Sequence, residues 1–258
     1  MTTSPMSDAF TSGTTSVTGH RGDQIEAYAA APVAPTGAGA VVVIHHMPGF
    51  DEATKEIVRR FASWGYAAVC PNLHHRDAPG AAPDDAAAAN RANGGVPDEQ
   101  LVGDVRGAAE HLRAVPGGNG RVGVIGFCSG GRQSVLAACS LPLDAAVDCY
   151  GAFVLADPPP ERAGLAGSLR SLLPDLSCPV LGLFGAQDQF PGPTEVAELD
   201  EVLSATGKVH AFHTFDDAGH GFFAVNRPSY RVQAATRGWV LVHDFVAEHL
   251  GAPSGWGR

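Results

Sequence analysis

The stretch VGVIGFCSGG, residues 122–131, gives the strongest indication of the fold of this chain. Its first six residues form an apolar run that predicts a buried strand, and the pattern over 130–140 predicts the helix that follows. Gly126 and Gly130 flank Cys128, and their lack of side chains lets two backbones pass closely at a sharp turn. A strand-to-helix turn of this kind is typical of a nucleophile elbow, so we predict that Cys128 is a catalytic nucleophile.

Two other interpretations of this stretch stay open. Cys128 could be a small apolar residue packed in a glycine-rich turn, because free cysteines are commonly buried. Ser129 could be the nucleophile, because Gly131 follows it by two residues, but no glycine precedes it by two. The pattern favours Cys128, since backbone N–H groups and the dipole of the following helix would stabilise both a thiolate and an oxyanion there.

Short apolar runs and helical patterns alternate along the rest of the chain, which predicts a parallel sheet covered by helices on both faces. The predicted strands are 41–45, 66–70, 122–127, 145–150, 179–185 and 208–215. The predicted helices are 52–63, 99–114, 130–140, 193–206 and 228–250. The fold class is therefore α/β with a mostly parallel central sheet.

The domain is predicted to span residues 26–250. Residues 1–25 are rich in Ser, Thr and Gly and predict a flexible or edge segment, and 251–258 predict a frayed tail. Segments 77–98 and 154–176 are rich in Pro, Ala and Gly, so we expect insertions over the sheet that shape the mouth of a site.

Composition limits the partners and the compartment. The chain has 17 basic and 27 acidic residues, a formal charge of -10 that disfavours binding to nucleic acid or to anionic membranes. Its five cysteines are odd in number and lack metal-ligand spacing, which indicates reduced thiols in the cytoplasm. We expect no signal peptide or membrane anchor, since the first residues lack an apolar core and no run approaches about 20 apolar residues.

A base and an orienting acid are expected downstream of the nucleophile, in the chain order that this fold uses. Asp188 follows the strand 179–185, and His220 follows the strand 208–215, so both lie at the same sheet edge as Cys128. Asp216 and Asp217 are nearer to His220 in sequence, but they share its loop and reach behind its ring less easily. We therefore predict Asp188 as the acid and His220 as the base.

These residues and their surroundings resemble the dienelactone hydrolase family of α/β-hydrolases over nearly all of 25–250. The resemblance lies in the elbow and in four further motifs: GYAAVCPNL (65–73), RDAPG (76–80), GAQD (185–188) and AGH (218–220). It implies a Cys-His-Asp triad, with the backbone amides of Met47 and Ser129 as the oxyanion hole. It also implies that Arg91 pairs with a substrate carboxylate, although a solvated surface charge is the simpler interpretation of that arginine.

The chain departs from the family pattern at two positions. His46 stands where well-known members carry a glutamate that hydrogen-bonds the resting thiol, and we expect His46 to take part in substrate binding. Ala224 stands where those members carry an arginine, four residues after the catalytic histidine. The adjacent His45 and His46 could suggest a metal, but neighbours on a strand point to opposite faces, so we expect one to pack and one to line the mouth.

The expected function is hydrolysis of a lactone or small ester through a cysteine acyl-enzyme, without a metal or organic cofactor. One alternative is a general carboxylesterase or thioesterase without lactone preference. The other is a non-catalytic ligand-binding or thiol-sensing homologue, because fold alone does not carry function. The expected partner is a small-molecule ester or lactone, and the expected assembly is a monomer or a small homo-oligomer.

Overall fold

The computed structural model describes residues 9–158 and 167–255, in which eight strands form one sheet with the order β1-β2-β4-β3-β5-β6-β7-β8. The strands are β1 (Phe10–Thr18), β2 (Gln24–Pro32), β3 (Ala40–Ile44), β4 (Ala67–Pro71), β5 (Val122–Phe127), β6 (Ala145–Cys149), β7 (Val180–Gly185) and β8 (His210–Phe215). Strands β3 to β8 run parallel to one another, whereas β2 pairs antiparallel with both β1 and β4.

Helices cover both faces of this sheet. They are α1 (Glu52–Ser63), α2 (Pro83–Ala92), α3 (Asp98–Arg113), α4 (Ser129–Ser140), α5 (Pro193–Ala205) and α6 (Val232–Leu250). Two apolar clusters lie on opposite faces of the sheet, and alternate residues of β3 belong to different clusters. Val42 belongs to the cluster with residues of α3, α4 and α5, and Val43 to the cluster with residues of α1 and α6. Every residue of β3, β5, β6 and β7 is buried, which explains their continuous apolar sequences. The predicted α/β-hydrolase fold class is confirmed.

The Ala-rich segment 77–98 contains a helix, α2, that the sequence prediction missed. Pro83 stands at its first position and Asp84 and Asp85 lie in its first turn, all of which favour a helix start. The helix predicted over 228–250 begins instead at Val232, because a turn with a hydrogen bond from Tyr230 N–H to the Arg227 carbonyl precedes it. Segment 77–98 therefore contributes a short helix, α2, as well as loops.

Phe10–Thr18 matches the edge alternative predicted for the N-terminal segment, whereas the C-terminal tail differs from the predicted frayed end. Phe10–Thr18 is an ordered edge strand that pairs with β2 along its whole length. Ser254 donates from its backbone N–H and its hydroxyl to the carbonyl of Thr36, at 2.9 and 2.8 Å, so the tail as far as residue 255 is docked. Residues 1–8 and 256–258 lie outside the described part.

The second predicted insertion, 154–176, contributes to the core. Leu169 and Leu173 are fully buried in the cluster beneath α4, and residues 159–166 lie outside the described part. Apolar side chains at these two positions hold the segment against the sheet, whereas the sequence composition indicated only a surface loop. Across the described residues, no helix has both the length and the apolar character needed to cross a bilayer.

Candidate active site

Cys128 lies at the turn between β5 and α4 with a φ of 59°, a left-handed conformation that is strained for a residue with a side chain. A Cβ atom on Gly126 would collide with the carbonyl of Gly130. A Cβ atom on Gly130 would lie 2.5 Å from the carbonyl oxygen of Ile44. The two glycines are thus required by backbone contact, and the turn holds the half-buried thiol at the carboxyl edge of the sheet.

Two loops at the same edge bring His220 and Asp188 together. The Nδ1 atom of His220 lies 2.8 Å from Oδ2 of Asp188, and the other carboxylate oxygen accepts the backbone N–H of Phe190 at 2.9 Å. The two loops are joined by a hydrogen bond of 2.9 Å from Gln187 N–H to the carbonyl of Ala218. Asp216 and Asp217 are exposed, so among these acids the geometry favours Asp188 as the partner of the imidazole.

The electrostatics of His220 favour its charged form. Burial opposes the charge, but hydrogen bonds to Asp188 and to the Cys128 side chain outweigh it and raise the pKa of His220 to about 10. With Nδ1 committed to Asp188, the nitrogen left for the thiol is Nε2. An imidazolium next to a cysteine sulfur stabilises a thiolate, which is the nucleophilic form.

A cavity of about 340 Å³ lies between the elbow and the loop that follows β3. Met47 and Ser129 both line it, as do His46 and Gln133. Ser129 is the first residue of α4, where backbone N–H groups have no partner within the helix. The two residues named for the oxyanion hole therefore border one space next to the elbow.

The adjacent histidines have separate surroundings, as the sequence prediction proposed. His45 is buried: its Nδ1 lies 2.8 Å from the carbonyl of His46, and its Nε2 accepts the N–H of Leu73 at 3.1 Å. Burial lowers the pKa of His45 to about 3, so it is a neutral packing residue. His46 lines the cavity, and its Nε2 lies 3.3 Å from the carboxylate of Asp51. Among described residues, no three His, Cys, Asp or Glu side chains are grouped as a metal site would require.

Arg91, which was considered for substrate binding, and Arg132 of α4 have different surroundings. Arg91 is exposed on α2. The pKa of His74 is lowered mainly by burial of that histidine, and the positive charge of the nearby Arg91 also lowers it. His74 lines the smaller cavity, so Arg91 lies beside its wall. Arg132 is 4% exposed and donates two hydrogen bonds to Asp98 at 3.0 and 3.1 Å, which makes it a structural residue.

A second, larger cavity lies on the α6 side of the site. Its wall is mainly aromatic and aliphatic, and Phe127, Tyr150, Phe223 and Trp239 contribute to it. Ala224 also lines it, so the position where the resemblance places an arginine is apolar here.

Sequence reasoning did not single out Tyr150 or Asp51. Tyr150 has a φ of 48°, and its ring centroid lies 5.1 Å from that of His220, so it forms the wall behind the imidazole. It directly follows β6, and its place at the carboxyl end of a parallel strand was a usable signal. Asp51 caps α1 by accepting the N–H of Thr54 at 2.8 Å, and no sequence pattern indicates its contact with His46.

Comparisons with known proteins agree with this architecture. The model of the dienelactone hydrolase family matches residues 25–250. A carboxymethylenebutenolidase of Pseudomonas putida is 31% identical over 81% of this chain and 86% of its own length. A Salmonella typhimurium protein assigned the same activity is 33% identical over 94% of this chain and 89% of its own length.

A solved structure gives the same result at the level of the fold. A crystal structure from Klebsiella pneumoniae, assigned to the dienelactone hydrolases, superposes with a TM-score of 0.83 and 29% identity. The match covers 93% of this chain and the whole of that chain. The family match, the relatives and the elbow geometry agree, and the chain belongs to the dienelactone hydrolase family of α/β-hydrolases.

Proposed function

We propose that the protein hydrolyses a lactone or small ester through a covalent acyl group on Cys128. The observation that carries this proposal is the arrangement of the Cys128 thiol, the His220 ring and the Asp188 carboxylate at one edge of the sheet. Family membership supplies the hydrolase activity, and this arrangement supports a particular set of residues for it.

In the proposed acylation step, His220 takes the proton of Cys128 and the thiolate attacks the carbonyl carbon. The carbonyl oxygen gains the negative charge and accepts hydrogen bonds from the amides of Met47 and Ser129. Collapse of this intermediate breaks the carbon–oxygen bond, and the imidazolium of His220 protonates the departing alkoxide. Asp188 holds the ring in the required tautomer and stabilises its cation.

In the deacylation step, His220 removes a proton from a water molecule that attacks the thioester. Collapse releases the carboxylic acid and returns the thiolate to its place beside the imidazolium. A lactone suits this chemistry because its alkoxide leaving group stays tethered to the acyl part. Cys128 must remain reduced, which, with the five free cysteines, supports a cytoplasmic site of action. We propose that the protein acts as a monomer or small homo-oligomer.

A general esterase or thioesterase is the second candidate, and the larger apolar cavity favours it. Ala224 replaces the arginine of the family pattern in the wall of that cavity, so a neutral acyl or leaving group can pack against an apolar side chain there. The two candidates share the same nucleophile and differ in substrate.

The deciding experiment is a kinetic panel of a dienelactone, simple aryl esters and an aryl thioester with the wild type and Cys128→Ala. We expect turnover by the wild type and none by the variant, and the ratio of kcat/KM values separates lactonase from general esterase. A wild type that is alkylated at Cys128 but hydrolyses no substrate would identify a binding or thiol-sensing protein instead.

A further inference from the structure

The larger cavity holds an arginine whose charge is not neutralised by an ion pair. Arg60 lies in the last turn of α1, is half-buried and lines this cavity. Within the described part of the chain, no carboxylate lies within ion-pair distance of its guanidinium. Burial lowers the pKa of Arg60, so the fold supports this charge at some cost.

Trp239 fixes the orientation of Arg60. The guanidinium carbon lies 4.6 Å from the centroid of the Trp239 ring, a cation–π contact that occupies one face of the guanidinium group. Stacking leaves the N–H groups at its edge free to donate, and that edge matches the two oxygens of a carboxylate. The arginine is thus already oriented to bind an anion.

The one acidic residue lining this cavity is directed elsewhere. Glu56 accepts a hydrogen bond from Arg59 at 2.7 Å, and Glu52 lies 3.5 Å from the same guanidinium. Two carboxylates therefore share Arg59, and Glu56 acts on Arg60 through its charge without forming an ion pair with it. An anionic group there would meet an attractive field in a protein whose overall charge is -10.

The cavity lies next to the reacting atoms. Tyr150 lines it and contacts His220, and His46 lines both this cavity and the one bordered by Met47 and Ser129. Cys128 packs against the aromatic cluster that forms the wall. A group carried by an acyl chain on Cys128 would have this apolar space beside it.

We propose that the preferred substrates carry an aryl-sized apolar group on the acyl side, with a carboxylate at its far end that pairs with Arg60. This inference rests on the proposed function and names the substrate class for it. The aromatic walls of this cavity favour a planar group such as a ring. Arg60 is a specificity-determining residue on this account, at a position separate from Arg91.

The test compares methyl 3-(4-carboxyphenyl)propanoate with its neutral analogue, methyl 3-(4-carbamoylphenyl)propanoate. The wild type should hydrolyse the carboxylate with at least tenfold higher kcat/KM, and Arg60→Met should bring the ratio of the two kcat/KM values close to one. Arg237→Met, which removes an exposed arginine of α6, should behave as the wild type. No preference in the wild type, or a preference that survives Arg60→Met, would overturn the inference.

Binding of the product acids separates failure of this inference from failure of the proposed function. Tryptophan fluorescence reports binding, since Trp239 lines the cavity. We expect 3-(4-carboxyphenyl)propanoate to bind at least tenfold more tightly than 3-(4-carbamoylphenyl)propanoate in the wild type, and equally in Arg60→Met. If no ester is hydrolysed but this difference is found, the hydrolytic proposal fails and the anion site stands; equal binding in the wild type removes the site.

Discussion

The Nδ1 atom of His220 lies 2.8 Å from the carboxylate of Asp188, although 32 residues separate them in sequence. The hydrogen bond between Gln187 and Ala218 joins their loops, and the fully buried Ala218 packs against the sheet edge. The side chain of Asp188 is 4% exposed and that of His220 is 41% exposed. The acid is thus protected from solvent while the imidazole remains open to a substrate.

Asp188→Asn should lower kcat by about 10³ to 10⁴, because a neutral amide favours the wrong imidazole tautomer. The fold should persist, since the amide oxygen can still accept the N–H of Phe190. Steady-state kinetics on an aryl ester measure the effect, with Asp216→Asn as the matched control at an exposed position. Loss of activity in the control with a normal Asp188→Asn would assign the acid to Asp216.

The pKa of His220 should fall in both Cys128→Ala and Asp188→Asn, since hydrogen bonds from each partner raise it to about 10. Because the pKa of His220 lies above the usual 6.5, its protonated form stabilises the fold. This contribution is fully present below about pH 6.5 and is lost as the pH rises through 10. Histidine NMR titration of the three proteins measures the shift. An unchanged His220 pKa in Cys128→Ala would show that the thiol and the ring do not interact.

Asp148 gives the protein a pH-dependent stability. It lies on β6 beneath the elbow, where one carboxylate oxygen accepts Gly151 N–H at 2.7 Å and the other has no partner among the described residues. Burial raises the pKa of Asp148 to about 7. The native state then holds a proton that the unfolded state has released, so stability from this group falls as the pH rises between about pH 4 and 7.

Asp148→Asn removes this titration, and the stability difference between variant and wild type should shift in favour of the variant as the pH rises from 5 to 8. Urea denaturation midpoints of both proteins at several pH values provide the measurement. Parallel pH profiles for the two proteins would mean that Asp148 titrates at its usual value.

Arg91→Ala tests whether the exposed arginine beside the smaller cavity binds substrate. If Arg91 pairs with a carboxylate close to the reacting carbonyl, kcat/KM for carboxylate-bearing lactones should fall about tenfold to a hundredfold while neutral esters are unaffected. Equal loss for both classes would indicate that Arg91 supports α2. No loss for either would make it a solvated surface charge.

Much of this fold was predictable because parallel strands buried on both faces leave a direct sequence signal. The predicted strand 122–127 and helix 52–63 match β5 and α1 in both bounds. The edge strand β1 was predicted only as an alternative to a flexible segment, because its residues alternate with solvent and are mostly polar, so composition alone resembles a loop. The short helix α2 was missed because an alanine run with prolines also fits an irregular segment.

The residues predicted as a triad could be read from sequence because each follows a strand, and strand ends converge at one edge. The surroundings could not be read in this way. The contact between His46 and Asp51 depends on how the turn after β3 meets the cap of α1. The stacking of Arg60 on Trp239 joins α1 to α6 across 178 intervening positions in the chain, a distance that no local pattern reports.

Mass spectrometry of enzyme quenched during turnover of an aryl ester tests most directly whether Cys128 carries the acyl group. Cys128 is held at a φ of 59° by glycine contacts, and Cys128→Ala adds no bulk there, so the variant should fold and serve as the control. We expect a mass increase equal to one acyl group on the peptide containing Cys128 in the wild type, and none in Cys128→Ala. An acyl group on Ser129, or steady turnover by Cys128→Ala, would contradict the account.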